Sequence, residues 1–315
     1  MAAIGKSRDP ATISRAELGR RLDEVRDGVP GHAAPRPGSV STFRARLHGL
    51  FETALARGLV QTNPLSGYRN PRLSRVQRIE RAERRAGRML PMPEVAALWA
   101  ACGDPRVSQA FGAYIRSLIV TGCRRTELTL ARLSWLEAAT PDRPALLTIP
   151  AAVTKNGHEH VLPLPPLLAG VIASVRRYAD ADLLFPGRRS SGKTVPISGW
   201  SKSWPALLKV ALEYGLTGAL RIHDLRKSAR SHWERLGVAD RVAEALLNHA
   251  EPDKLKSIYV LHDPLTEKSA ALTLWCAEIG RALELRKAPS ADVVVLPSGQ
   301  KAIRRRAQSR RKSAK

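Results

Sequence analysis

Between residues 221 and 259 the chain reads Arg221, Ile222, His223, Asp224, Leu225, Arg226, crosses two helical segments, and reaches Leu247, Asn248, His249 and then Ser257, Ile258, Tyr259. His223 and Arg226 stand three apart where a helical pattern begins, so both can project from one face. A histidine and an arginine aimed at one place suit an anion. His249 closes the next helix, and Tyr259 follows ten residues later beside Lys254 and Lys256. A tyrosine among such groups is a candidate nucleophile, because a phenol with a pKa of about 10 needs positive charge and a base before it attacks. Any fold of this chain has to bring a helix start, a helix end and a tyrosine together, and the upstream segments read as supplying or positioning charge around them.

The charge balance agrees. Against 28 Asp and Glu the chain carries 52 Lys and Arg, a formal net charge of +24. Such an excess makes a polyanion the expected partner, although it also fits a ribosome-associated or simply basic soluble protein. At 315 residues and 43% hydrophobic content there is material for two domains with ordinary cores. Cys102, Cys123 and Cys276 are widely spaced, so neither a disulfide framework nor a zinc pattern is indicated. His158 and His160 invite a metal reading that no cysteine or carboxylate pattern completes. With no apolar signal core and no apolar run of ~18 residues, the chain reads as cytosolic.

In chain order, Ser14 and Glu17 make a capping box, Ile13 and Leu18 stand at staple positions, and Leu18, Leu22 and Val25 form one stripe ending near Gly28. A second helix carries Val40, Phe43, Leu47, Leu50, Phe51, Ala54 and Leu55, with Gly58 after its end. Its Arg44, Arg46, His48 and Arg57 fit either a solvated basic face or phosphate contacts. Two helices make a thin domain. From 69 to 88 run Arg69, Arg72, Arg75, Arg78, Arg81, Arg84, Arg85 and Arg88 with few large apolar residues, which reads as a basic arm that touches a phosphate backbone.

The second domain begins near Met89. Pro93 opens a helix with Val95, Leu98 and Trp99, and a further helix carries Phe111, Ile115, Leu118 and Ile119. It runs into Thr121, Gly122, Cys123, Arg124, Arg125, Thr126, Glu127 and Leu128. Gly122 breaks the helix and the next starts at once, which places Arg124 at a helix start with Glu127 one turn on. Glu127 can orient the arginine, and the same spacing also fits a surface ion pair. A hairpin follows: residues 145–150 and 160–164 flank Asn156 and Gly157, whose types tolerate the positive φ of a tight turn. Lys155 precedes that turn, either simply solvated or functional. Helices are expected over 167–178 and 198–214, where Trp200 and Trp204, four apart, suit core packing more than base stacking. After Asp263 and Pro264 a long helix carries Leu265, Leu272, Trp275, Ile279 and Leu283, a stripe that could fold back on its own domain or dock on a neighbour. Residues 287–315 end in arginine clusters and read as a disordered basic tail.

The order of these elements resembles the tyrosine recombinase (phage integrase) family, most of all the integrases of satellite phages and genomic islands. The resemblance spans residues 12–285 and rests on Thr-Gly-x-Arg-x-x-Glu at 121–127, the hairpin lysine, His-x-x-Arg at 223–226, His249 and Tyr259. It implies a mainly α fold with a small antiparallel β-sheet: a partial helical core-binding domain over 1–68, a linker over 69–88, a catalytic domain over 89–286 and the tail. By position it implies that Arg124 and Arg226 clamp a scissile DNA phosphate with Glu127 holding Arg124, that His249 donates to the same phosphate, and that Tyr259 attacks. His223 would handle the tyrosine's proton and Lys155 would protonate the leaving 5′-oxygen. Neither metal nor ATP is needed, since one phosphodiester is exchanged for another ester. Arg44, Arg46, Arg57, Arg75 and Arg78 are the expected DNA contacts, and the expected partners are double-stranded attachment sites, three further copies in a tetramer joined through the helix after Tyr259, and DNA-bending accessory proteins. Such a protein would be cytoplasmic and nucleoid-associated, in a bacterium or encoded by a phage. Two departures stand out: Asn248 occupies the place of the usual glycine, and the chain begins where the last two helices of a core-binding domain would lie. A truncated, DNA-occupying integrase and a type IB topoisomerase are the alternatives.

Overall fold

The computed structural model describes residues 8–32, 35–69, 74–249 and 264–287. Arg72, Tyr259 and residues 288–315 of the basic tail lie outside the described residues. The chain divides into two compact units, Met1–Ala86 and Gly87–Lys315.

In the first unit, α1 (Arg15–Asp27) and α2 (Val40–Ala56) pack face to face. Ser14 Oγ accepts the Glu17 N–H at 3.2 Å, but the Glu17 carboxylate turns to Arg8, so only half of the expected capping box forms. Leu18 and Leu22 are enclosed with Leu47 and Phe51, and Val60 and Leu65 from the following loop join that core. The stretch expected as an arm contains a helix, α3 (Arg75–Ala86). Ser74 and Gln77 exchange hydrogen bonds of 3.2 and 3.0 Å across its first turn, and Arg, Glu, Gln and Ala are strong helix formers whatever their charge.

The second unit is mainly helical. Around α5 (Gln109–Thr121) lie α4 (Met92–Ala101), α6 (Arg125–Thr129), α7 (Pro166–Ala173) and α9 (Ile222–Arg235), while α8 (Trp200–Glu213) packs on α4 and α10 (Asp240–Leu246) on α9. Helix α5 is apolar on nearly every side and is correspondingly buried from Phe111 to Thr121 apart from Arg116. Its buried hydroxyls are satisfied within the helix, Ser117 donating to Ala113 O and Thr121 to Ser117 O. Trp204 is buried and its indole N–H donates to Leu220 O at 3.2 Å, while Trp200 packs against Phe111 and Tyr114, as the spacing of the two tryptophans suggested.

Gly112 of α5 lies where a methyl group would overlap the backbone carbonyl of Cys102, at the end of α4. Backbone cannot swing aside as a side chain does. Gly112→Ala should therefore destabilise this unit by about 3 kcal/mol, whereas Gly170→Ala, on an open face of α7 with nothing within 4 Å, should be neutral or slightly stabilising. Urea unfolding followed by tryptophan fluorescence checks this, because all six tryptophans belong to the second unit. Equal midpoints for the two variants would refute the close approach.

The sheet has three antiparallel strands, β1 (Leu136–Glu137), β2 (Leu146–Ile149) and β3 (His160–Pro163), in the order β1-β2-β3. The ladder runs from Leu146↔Pro163 to Ile149↔His160. Asn156 and Gly157 are not a two-residue hairpin turn: residues 150–159 form a longer connection, opened by a 3-10 turn at Ala151–Val153, with Gly157 at φ 74°. The segment between α7 and α8 contains a second antiparallel pair, β4 (Pro186–Arg188) and β5 (Thr194–Pro196).

The last helix, α11 (Leu265–Lys287), takes the first of the two destinations its stripe allowed and folds back on its own unit. Its stripe packs on α4, α5, β3, α9 and α10 of its own unit. Trp275 is fully buried, stacks on His232 at 4.9 Å and donates its indole N–H to Ile119 O at 3.0 Å. A buried indole needs such an acceptor, and the end of α5 supplies one. Among the described residues no helix is long and apolar enough to cross a membrane.

Candidate active site

Helix α5 ends at Gly122, whose φ of 61° and close neighbours, Trp233 and Leu247 at 3.0 and 3.1 Å from a would-be Cβ, both exclude a side chain. The chain then extends and starts α6, which puts Arg124 at the N-cap. Glu127 is wholly buried. Its carboxylate accepts from Arg124 Nη1 at 2.8 Å and from the Arg124 backbone N–H at 3.2 Å. The pair is thus an enclosed bracket on the arginine rather than a surface ion pair.

Arg226, on the second turn of α9, is 6% exposed. Nη1 donates to Gly122 O at 2.8 Å, and Nη2 donates to Leu247 O at 2.7 Å and to His249 Nε2 at 2.8 Å. Its guanidinium therefore joins the end of α5 to the end of α10. Burial lowers its pKa, yet an arginine stays charged. Among the described residues no carboxylate lies within salt-bridge distance of it.

A Schellman turn finishes α10. The His249 N–H reaches Glu244 O at 3.0 Å and the Asn248 N–H reaches Ala245 O at 3.1 Å, with Asn248 at φ 48°. Asparagine tolerates this left-handed position better than most residues, so the turn forms without a glycine. The turn also lays the His249 ring on the Glu244 side chain. An arginine can only donate, so Nε2 accepts from Arg226 and Nδ1–H donates to the Glu244 carboxylate. Burial raises the Glu244 pKa, but the bonds from His249 and Arg230 outweigh it and hold the carboxyl below its usual value. The Asn248 carbonyl accepts from Arg124 Nη2 at 3.3 Å and from Asn156 Nδ2 at 2.8 Å.

Beneath Arg124 lie Cys123, Glu127 and His160, all buried, with potential ligand atoms within 4.8 Å of one another. His160 Nε2–H donates to Leu246 O at 3.0 Å, while its Nδ1 has no hydrogen-bond partner and lies 3.9 Å from Glu127. Burial, then the charge of Lys268, lowers the His160 pKa to about 3, and burial pushes the Cys123 thiol up to about 12. A neutral imidazole, a protonated thiol and a carboxylate committed to Arg124, with three cationic side chains near, suit packing better than a divalent ion.

Beside Arg226 opens a cavity of about 500 Å³ whose lining includes Arg125, Trp200, Trp204, Arg221, His223 and Arg226. The Arg125 guanidinium lies over the Trp200 ring at 5.2 Å. His223 stands at the mouth, and partial burial, then the charge of Arg226, lowers its pKa from 6.5. Lys155 is exposed on the β2–β3 connection, next to Asn156. The structure thus brings Arg124, Glu127, Arg226 and His249 together, with His223 alongside. In the first unit Arg46, Arg57, Arg75 and Arg78 are exposed, whereas Arg44 is half-buried and donates to Tyr68 O at 2.9 Å. Sequence reasoning named Asn156 only as a turn residue and weighed His160 only as a metal ligand, and it did not single out Glu244. Only the left-handed tolerance of Asn248 hinted at a turn that could bring Glu244 to His249.

A model of the phage integrase family matches residues 88–265, more than half of the chain. The chain belongs to the phage integrase family. Among curated relatives, this integrase-family chain is 28% identical to prophage integrase IntZ of Escherichia coli (strain K12) over 156 residues, 48% of this chain and 35% of that protein. The match therefore spans about a third of that relative's length. Among solved structures it is similar to a lambda integrase(75-356) dimer bound to a COC' core site, with a TM-score of 0.52 and 16% identity, covering 79% of this chain and 83% of the other. A lambda integrase dimer bound to the same core site gives 0.51 and 17%, covering 79% and 65%. These likenesses show a shared integrase fold.

Proposed function

We propose that this integrase-family chain is a site-specific recombinase that cleaves and rejoins DNA through a 3′-phosphotyrosyl intermediate. The observation that carries the reading is Arg226, a buried cation aimed at the same place as Arg124 and His249, with no carboxylate within salt-bridge distance among the described residues. A charge so placed is costly until an anion joins it, and a backbone phosphate is the anion the whole chain attracts at a net charge of +24.

In this reading Tyr259 Oη attacks the scissile phosphorus, the P–O5′ bond breaks, and the ester passes to the tyrosine. Arg124 and Arg226 stabilise the charge gathering on the non-bridging oxygens, each donor contributing about 3 kcal/mol. Glu127 holds Arg124, and His249 completes the set once a phosphate draws Arg226 away: its freed Nε2 takes a proton from solvent and, as an imidazolium held by Glu244, donates to the same phosphate. Lys155 gives its proton to the departing 5′-oxygen. The reverse attack by a 5′-hydroxyl reseals the strand, so bond energy is conserved without metal or ATP. The partners are double-stranded attachment sites, further copies in a tetramer on DNA, and DNA-bending accessory proteins, which makes the protein cytoplasmic and nucleoid-associated. Arg46, Arg57, Arg75 and Arg78 supply phosphate contacts, and Arg44 the support of Tyr68.

His223 takes the proton of the phenol. Its lowered pKa favours the neutral, proton-accepting form, so that form persists to below pH 6.5. The cleavage rate should rise from acid pH with a midpoint below pH 6.5, and lose that limb in His223→Gln. A profile identical in the variant would assign the limb to another group.

The reading is tested by incubating the protein, without metal or ATP, with nicked DNA carrying its attachment region and then denaturing the mixture. Protein joined to a 3′ end is the expected product. Clear DNA binding with no adduct would favour a DNA-occupying integrase that does not recombine.

A further inference from the structure

Asn248 uses its side chain as well as its backbone. Its Nδ2 donates to His158 O at 3.1 Å and to Asn156 Oδ1 at 3.4 Å, and its Oδ1 accepts from Asn156 Nδ2 at 3.1 Å. The backbone of the same residue ties in the clamp, since Asn248 O accepts from both Asn156 and Arg124. Lys155 sits immediately before Asn156. The ladder between β2 and β3 ends at Ile149↔His160, so the ten residues 150–159 lie beyond it, with Lys155, Gly157, His158 and Glu159 exposed. Within that connection Thr154 Oγ1 donates to His158 O at 2.8 Å and the His158 N–H donates to Asn156 Oδ1 at 3.3 Å. These bonds shape the turn, but only a bond to another element fixes where it points. The Asn248 amide is such a bond.

We propose that Asn248 is a positioning residue for Lys155: its carboxamide holds the Asn156–His158 turn against the end of α10, and so sets the lysine relative to Arg124, Arg226 and His249. The proposal rests on the recombinase reading for what Lys155 does, while the clasp is a matter of this chain's own geometry. Glycine suits the left-handed position of residue 248 at least as well as asparagine, so Asn248→Gly removes the carboxamide without breaking the helix end.

The experiment compares cleavage of an ordinary phosphodiester with that of a 5′-bridging phosphorothiolate, whose sulfur leaves without a proton. Lys155→Ala is the reference. Asn248→Gly should slow the ordinary substrate about tenfold or more, as misplacement of a reacting group does, and leave the phosphorothiolate rate near that of wild type. Asn156→Ala should act in the same way, and the double variant should be little worse than either single one. Equal slowing of both substrates would mean that Asn248 supports the clamp or the fold instead, and no slowing of either would remove it from the reaction. Hydrogen exchange supplies a readout independent of chemistry: the amides of residues 155–158 should exchange faster in Asn248→Gly while those of α9 do not change. If wild type forms no adduct on either substrate, the recombinase reading fails, and unchanged exchange in the variant would then overturn the clasp on its own.

Discussion

Tyr259→Phe is expected to abolish the covalent protein–DNA adduct while changing DNA affinity by no more than about twofold, because most affinity for duplex DNA comes from neutralising phosphates. The substitution removes one oxygen and no charge at neutral pH. All 52 Lys and Arg remain to hold the backbone. In the proposed mechanism the hydroxyl, in contrast, is the attacking atom, and nothing left on a phenylalanine ring can form an ester. A gel shift at several salt concentrations and a denaturing gel on the nicked substrate separate the two effects. Binding lost along with the adduct would make Tyr259 a structural residue. An adduct that persists would mean that another side chain attacks.

Arg226→Lys is expected to lower the rate of adduct formation on the order of a thousandfold, the loss that follows removal of a strong oxyanion donor. The positive charge is retained, so the effect isolates geometry. A guanidinium reaches Gly122 O, Leu247 O and His249 Nε2 from a rigid planar fork. An ammonium on a flexible stem cannot reproduce those directions. At least one buried acceptor is then left unpaired, at about 1–3 kcal/mol. The urea midpoint should accordingly fall as well, although the protein remains folded. Measuring single-turnover rates beside unfolding curves keeps the losses apart. A decrease below tenfold with an intact fold would place Arg226 outside the transition state.

The parts of this site that were legible in the sequence are those decided locally. A glycine after an apolar helical run must end the helix, and that alone placed Arg124 at a helix start with Glu127 one turn on. His223 and Arg226 share a helix face for the same local reason. The alternatives left open there turned on burial, which depends on what the rest of the chain brings: nothing within residues 121–128 says that Glu127 is fully enclosed. The pairing of Glu244 with His249 was illegible because a separation of five does not share a face on a regular helix. The Schellman turn brings them together. Asn156 and Asn248 lie 92 positions apart, and no periodicity connects them. In α3 the charge run drew the reading toward an arm, while helix propensity and the Ser74–Gln77 cap decided the outcome. For α11 the stripe was legible and its destination was left open between its own domain and a neighbour, since an apolar face in a sequence does not name the surface that will cover it.

That last helix also sets a clock. Trp275 closes the core against α4 and α5 and bonds to the carbonyl of Ile119, three residues before Gly122, on which Arg226 rests. A ribosome has made both arginines long before it makes this residue. Until then the nascent chain carries apolar flanks of α4 and α5 that invite chaperones, and its arginines lack the finished wall behind them. In the proposed reading the clamp is therefore completed in one step, when α11 closes the core, not progressively along the chain, and a protein interrupted before α11 would be a ward of the folding machinery.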